Sequence, residues 1–296
     1  MSLPAAGEAL VLDGGLSNQL ADQGCDLDDP LWSARLLADA PEQVEAAHAA
    51  YARAGAQVLT TASYQATYEG FARRGIGPAR TTALLRRSVE LARRAAAAGS
   101  GVRVAASVGP YGAMLADGSE YRGRYGLSVR ELTAFHRPRI EALAEAGPDV
   151  LALETVPDVA EAEAMLKAAQ GCGVPVWLSY TVAGDRTRAG QPLAEAFAVA
   201  AGREDVVAVG VNCCSPLDAD AAVPLAARIS GKPVVVYPNS GEGWDPAARA
   251  WTGPAAEPVG LAGHALRWRE EGARLIGGCC RVGPPAIAAV AGALRP

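Results

Sequence analysis

Apolar residues in this chain gather in eight short, nearly continuous runs, at 9–13, 57–62, 102–108, 149–154, 174–180, 206–212, 233–237 and 273–277. Runs of that length with little polar alternation predict strands covered on both faces, as in a parallel sheet. Between them, apolar positions recur at helical spacing. In 41–54, Val44, Ala47, Tyr51 and Ala54 share one face, Pro41 suits a first turn and Gly55 suits a stop. Ser128 and Glu131 have the spacing of a capping box opening 129–146, and Val159, Ala162, Leu166 and Ala169 repeat through 159–170. Further helices are predicted at about 81–98, 192–202, 218–229, 258–272 and 284–294. Eight strand-then-helix units predict an α/β fold of the (β/α)8 TIM-barrel type, a parallel eight-stranded barrel with outer helices. A doubly wound open sheet is the alternative; the lack of a G-x-G-x-x-G after the first run counts against it.

The connections give the barrel a direction. Helix-to-strand links are short, such as Gly55-Ala56 and Gly147-Pro148, whereas strand-to-helix links are long after the first, second, third and seventh runs. The long links hold Trp32, Tyr64, Tyr68, Tyr111, Tyr121, Tyr125, Trp244 and Trp251. Economy on one side and aromatic loops on the other place the working face at the C-terminal ends of the strands. No linker or low-complexity tract interrupts the series, so 1–296 reads as one barrel domain.

Composition narrows the setting. Half of the 296 residues are hydrophobic, enough for a large core, and a net charge of −5 argues against nucleic acid or an anionic membrane as partner. No apolar stretch is long enough to span a bilayer, and 1–9 has neither the basic start nor the apolar centre of a signal peptide. The expectation is a cytoplasmic protein whose thiols stay reduced, so its six cysteines point to metal binding or catalysis ahead of disulfides.

Four of those cysteines come in two adjacent pairs. Cys213-Cys214 closes the sixth run, and Gly277-Gly278-Cys279-Cys280 closes the eighth. In a barrel these ends flank the seventh strand, so thiolates from both can converge on one zinc ion, about 2.3 Å from each sulfur. Neighbouring side chains on a regular strand point to opposite faces, so Cys279 and Cys280 can share an ion only in a turn, which the two glycines before them would permit. Three thiolates leave a tetrahedral ion one open position, while four would close a structural site; either Cys213 or Cys214 could be the spare. His48, His136 and His264 fall within predicted outer helices as packing or surface residues, and Cys25 and Cys172 stand apart.

A zinc ion bound only by thiolates is a poor generator of hydroxide. Its natural work is to hold an incoming thiol as a reactive thiolate, which favours alkyl transfer over hydrolysis. Asp13 and Glu154, ending the first and fourth runs, could bind a substrate ammonium. A glycosidase-type acid/base pair, helix capping or surface ion pairing are the other readings. Trp and Tyr faces in the long loops suit sulfonium or quaternary ammonium methyl donors, or simply cover the barrel mouth. The two lysines, Lys167 and Lys232, lie away from this mouth, which disfavours Schiff-base chemistry. A storage protein that binds zinc without turnover and a hydrolase using zinc-bound water remain as alternatives.

Taken together, Gly210-Val211-Asn212-Cys213 and Gly277-Gly278-Cys279-Cys280 resemble the zinc-dependent homocysteine S-methyltransferases. The resemblance runs from Asp13 to Arg281 and includes Leu31-Trp32-Ser33, 60–65, Ser107-Val108-Gly109-Pro110, Glu154-Thr155 and 237–242. It implies zinc on Cys213, Cys279 and Cys280 with Cys214 as the spare, and homocysteine's amino group on Asp13 and Glu154. It further implies that Trp32 and Gln65 line the pocket and that Asn212 supports or temporarily completes the metal site. The stretch from Tyr237 to Glu242, with Trp244 and Trp251, is similar to the branch that uses S-methylmethionine, with S-adenosylmethionine as an additional donor; betaine is the alternative donor.

Overall fold

A computed structural model of the chain describes residues 3–5, 7–97, 99, 101–245, 250–252 and 258–295. The side chains at 243–245, 250–252 and 258–259, with those of Trp244 and Trp251 among them, lie outside the described residues. Eight strands appear where the apolar runs predicted them: β1 Leu10–Val11, β2 Val58–Thr60, β3 Arg103–Val108, β4 Val150–Val156, β5 Val176–Tyr180, β6 Val206–Asn212, β7 Val234–Tyr237 and β8 Ala273–Ile276. They pair in parallel in the order β1-β8-β7-β6-β5-β4-β3-β2. A parallel bridge between Leu12 and Val58, with the Asp13 N–H donating to the Val58 carbonyl at 3.0 Å, joins the two ends into a barrel. The open-sheet alternative is therefore excluded.

The outer layer comprises α1 Pro41–Arg53, α2 Pro78–Ala96, α3 Val129–Glu145, α4 Val159–Ala169, α5 Leu193–Ala198, α6 Pro216–Ser230, α7 Pro258–Glu270 and α8 Pro284–Leu294. Local chemistry sets their starts. The capping box of Ser128 and Glu131 opens α3 in both directions. Ser215 Oγ accepts from the Asp218 N–H at 3.1 Å with Pro216 in the first turn, so α6 begins two residues before the expected start. Correspondingly, α5 is shorter than the expected 192–202.

Every strand residue of β3's last five, of β4 and of β5 is buried, which accounts for the missing polar alternation. Inside the barrel, Ala105, Ala152 and Ala208 leave room for Trp177 and Tyr237, so small and large side chains complement one another around the axis. Gly210 is small for the same reason: a Cβ there would lie 1.8 Å from the Val235 carbonyl oxygen of β7. Each aliphatic side chain buried between strands and helices contributes about 1.5–3 kcal/mol from removal of apolar surface. Periodicity missed the short elements of the long loops: helical turns at Leu16–Asp22, Trp32–Arg35, Leu36–Asp39, Tyr68–Ala72, Tyr111–Leu115 and Ser119–Tyr121, and hairpins Val182–Ala183/Arg186–Thr187 and Gly243–Asp245/Ala250–Thr252. Among the described residues no helix is long and apolar enough to cross a membrane.

Candidate active site

The sulfurs of Cys213, Cys279 and Cys280 all lie within 4.8 Å of one another. Cys213 Sγ is 3.8 Å from Cys280 Sγ, and Cys279 Sγ is 4.0 Å from Cys280 Sγ. A tetrahedral ion with sulfur bonds of 2.3 Å sets sulfurs roughly 3.8 Å apart, and two of the three separations here are close to that spacing. Cys214 is not among them. It is buried in the core between barrel and helices, where burial pushes its thiol well up. The backbone separates the two neighbours: Cys213 has φ 50, so the chain leaves strand geometry at that residue.

The chain turns after β8, as expected. Neither Gly277 nor Gly278 has a positive φ; the left-handed residue is Arg281, with φ 65. The glycines are needed for space. A Cβ on Gly277 would lie 2.6 Å from Leu12 Cβ, and one on Gly278 would lie 2.2 Å from Val282 Cγ1. Backbone bonds then fix the rim: the Gly278 N–H donates to the Asp13 carbonyl at 3.1 Å, Cys279 to Pro238 at 2.7 Å and Cys213 to Tyr237 at 3.2 Å. Asn239 Oδ1 accepts from the Cys280 N–H at 3.2 Å. Donation from the Cys279 and Cys280 thiols holds Cys213 well below the usual thiol range, while the other two are pushed up by the same coupling.

Asp13, Glu154, Trp32, Gln65 and Asn212 line, together with the three cysteines, one cavity of about 730 Å³ at the C-terminal mouth. Asp13 is 3% exposed and accepts from the Thr60 N–H at 2.7 Å; burial pushes its carboxyl up to about 8. Glu154 is 6% exposed, accepts from Ser107 Oγ and from the Tyr237 hydroxyl at 2.9 Å, and burial pushes it up to about 7. Helix capping and surface pairing are thereby excluded for both. Gln65 donates to the Ala113 carbonyl at 2.9 Å and keeps its Oε1 unpartnered. Trp32 takes φ 47 at the start of its 3-10 turn. Asn212 is engaged on both ends of its amide: Oδ1 accepts from the Thr155 N–H at 2.7 Å and Ser179 Oγ at 2.8 Å, and Nδ2 donates to Thr155 Oγ1 at 2.8 Å.

Proton counting links Asn212 to Glu154. Ser179 Oγ and the Tyr237 hydroxyl are 2.8 Å apart, and Trp177 Nε1 donates to Tyr237 at 3.1 Å. Two hydroxyl protons serve three contacts, Glu154–Tyr237, Tyr237–Ser179 and Ser179–Asn212. All three are satisfied at once only when Glu154 itself carries a proton; when it ionises and accepts from Tyr237, the single Ser179 proton serves either Asn212 or Tyr237.

Some contacts had no sign in the sequence. The Tyr121 hydroxyl lies 3.2 Å from Cys213 Sγ, and the Arg188 guanidinium stacks 5.6 Å above the Tyr121 ring. Glu120 lines the cavity beside it. Ser107 and Tyr237 stood at expected strand ends, but only the closed barrel shows that both reach Glu154. The histidines stay outside the cavity: His48 is buried with both ring nitrogens unpartnered, His136 bonds Glu161 at 3.0 Å, and His264 meets Asp220 at 2.8 Å.

The family described as homocysteine S-methyltransferase matches residues 10–294. A homocysteine S-methyltransferase of Escherichia coli strain K12 is 45% identical over 292 residues, covering 96% of this chain and 94% of that protein. One from Bacillus subtilis strain 168 is 42% identical, covering 95% and 93%. A selenocysteine Se-methyltransferase of Brassica oleracea var. italica is 39% identical, covering 97% and 89%. Among solved structures, the metallated form of the homocysteine methyltransferase MmuM from Escherichia coli superposes with a TM-score of 0.86 at 44% identity over 96% of each chain. Its apo form gives 0.78 at 37% identity, covering 97% of this chain and 96% of that one.

Proposed function

Because the chain belongs to the homocysteine S-methyltransferase family, we propose that it moves a methyl group from a methylsulfonium donor to L-homocysteine, giving methionine, with zinc on Cys213, Cys279 and Cys280. S-methylmethionine is the main donor in this reading and S-adenosylmethionine an additional one; the whole chain, 1–296, acts as one barrel domain in the cytoplasm. The observation that carries it is the meeting, in one cavity, of three thiols within 4.8 Å of one another with two buried carboxylates.

Zinc, when bound, supplies an open position in which a thiol gives up its proton at neutral pH. The chain's own residues do the rest. Asp13 and Glu154 hold the homocysteine ammonium through charge-assisted hydrogen bonds, and Ser107, Tyr237 and the Thr60 N–H keep the two carboxyls aimed. Trp32 and Gln65 line the pocket, and Asn212 fixes the Thr155 backbone beside Glu154. In the displacement a carbon–sulfur bond forms to homocysteine while the donor's methyl–sulfur bond breaks, its electron pair staying on the donor sulfur. The donor leaves as a neutral thioether, so no general acid is needed. Alignment and exclusion of water supply the rate.

A donor panel tests this. With homocysteine, S-methylmethionine should give methionine, more weakly S-adenosylmethionine, and betaine none; a chelator should stop turnover and zinc restore it. Selenocysteine belongs in the panel as an acceptor because of the Brassica relative. A protein that held one metal ion yet formed no methionine from any sulfonium or betaine donor would overturn the reading.

A further inference from the structure

Among the described residues, the cavity walls carry six carboxylates, from Asp13, Asp28, Asp29, Asp117, Glu120 and Glu154, and no lysine, arginine or histidine. Asp13 and Glu154 are matched by one substrate ammonium. Asp28 and Asp117 are exposed, and Asp117 also accepts from the Ser119 N–H at 2.9 Å. Asp29 accepts from the Leu31 N–H at 2.8 Å and faces Arg35 and Arg74, each at 3.9 Å. Glu120 is in a different position. Its Oε2 is shut off from solvent without a hydrogen-bond partner, and burial pushes its carboxyl up to about 7. A carboxyl group kept in that state is costly unless a partner arrives.

The fold holds Glu120 where it is. The turn Ser119–Tyr121 packs against Tyr111–Leu115 because Gly112 has no side chain; a Cβ there would lie 2.4 Å from the Glu120 nitrogen. The next residue, Tyr121, touches Cys213 Sγ at 3.2 Å, so Glu120 stands on the wall next to the thiols. Resting on the methylsulfonium reading above, we propose that Glu120 binds the α-ammonium group of the methyl donor. Glu120 Oε2 has no hydrogen-bond donor, and no cationic side chain lines the cavity beside it among the described residues. A primary ammonium brings both, with three N–H groups. A sulfonium or quaternary ammonium centre brings charge alone, which aromatic rings lining the same cavity, such as Trp32 and Tyr64, can serve. The ammonium also keeps its charge throughout, whereas the sulfonium loses its charge as the thioether forms. Pairing Glu120 with the ammonium therefore strengthens donor binding equally in ground and transition states and does not oppose the transfer.

The test uses the zinc-loaded full chain, homocysteine and two donors: S-methylmethionine and its counterpart without the amino group, 4-(dimethylsulfonio)butanoate, read as substrate or as competitive inhibitor. Glu120→Gln should raise the KM for S-methylmethionine about tenfold or more with kcat within about twofold. The KM for homocysteine, the zinc content and the affinity for the desamino donor should not change. An unchanged KM for S-methylmethionine would overturn the proposal, and so would an equal loss for both donors, which would put Glu120 on the sulfonium. Should the variant fail to fold, the wild-type comparison decides: equal affinity for the two donors would overturn it, and a desamino donor weaker by about tenfold would uphold it. A wild-type enzyme that used no sulfonium would instead bring down the methylsulfonium reading, before any variant is measured.

Discussion

Cys213 and Cys214 share a peptide bond and almost nothing else. The first bends out of β6 at a left-handed φ and joins the triad; the second is packed in the core. Replacing Cys280 by Ala should remove bound metal and activity together, whereas Cys214→Ala should keep the metal and lower only the melting temperature; metal content after gel filtration separates the two. His48 makes another prediction. Buried without a partner, it is lowered from 6.5 to about 4, so it stays neutral in the fold while the unfolded chain protonates it. The stability it affects is complete above pH 6.5 and falls as pH drops toward 4, by at most about 3 kcal/mol. In His48→Leu, thermal melts should lose that part of the acid limb. The thiols and the two carboxylates were legible because strand ends on a barrel must share one mouth. The Tyr121–Cys213 contact was not: it spans 92 positions and depends on loop conformation that no local pattern encodes.

The turn after β8 shows how an element can be read correctly before its reason is visible. Glycines at 277 and 278 were expected to permit a turn, and what requires them is close approach to Leu12 and Val282. Gly278→Ala should therefore push the turn away from Val282 and weaken zinc retention about tenfold or more in competition with a chelator, without touching a ligand. Ser128→Ala should behave oppositely, costing about 1 kcal/mol of stability by unmaking the cap of α3 while metal affinity stays put. The capping box and the long apolar runs were readable because their signals are local and periodic. The one-turn helices that place Trp32, Glu120 and Tyr121 are too short for periodicity, and packing against the barrel rim decides them.

At the scale of the whole molecule, the barrel gathers acidic groups in a cavity that no cationic side chain lines among the described residues, and that gives the cavity a pH behaviour. Asp13 and Glu154 sit at about 8 and about 7, above their ordinary 3.8 and 4.5, so they keep their protons in the empty fold. Groups raised in this way contribute stability that is whole below about pH 4 and drains as pH climbs through 7 to 8. A bound ammonium reverses this by favouring the ionised carboxylates. The rise in melting temperature produced by methionine, which has the ammonium but no thiol proton, should therefore grow from about pH 6 to about pH 8. A shift that stayed flat over that range would remove the ammonium site, and Asp13→Asn should blunt the growth.

The triad also has a history in time. Cys213 and Cys280 are 67 positions apart, and they face each other only once β7 and β8 have been added beside β6. A nascent chain that has reached Cys213 has one ligand and nothing to capture. If zinc binds as proposed, its uptake is a late event, coming after most of the barrel has formed, and the ion would tie the β6 end to the β8 end across β7. Its effect should be felt in kinetics: zinc should slow unfolding markedly and leave the folding rate almost unchanged, because ligands that meet after the transition state act on the escape rate alone.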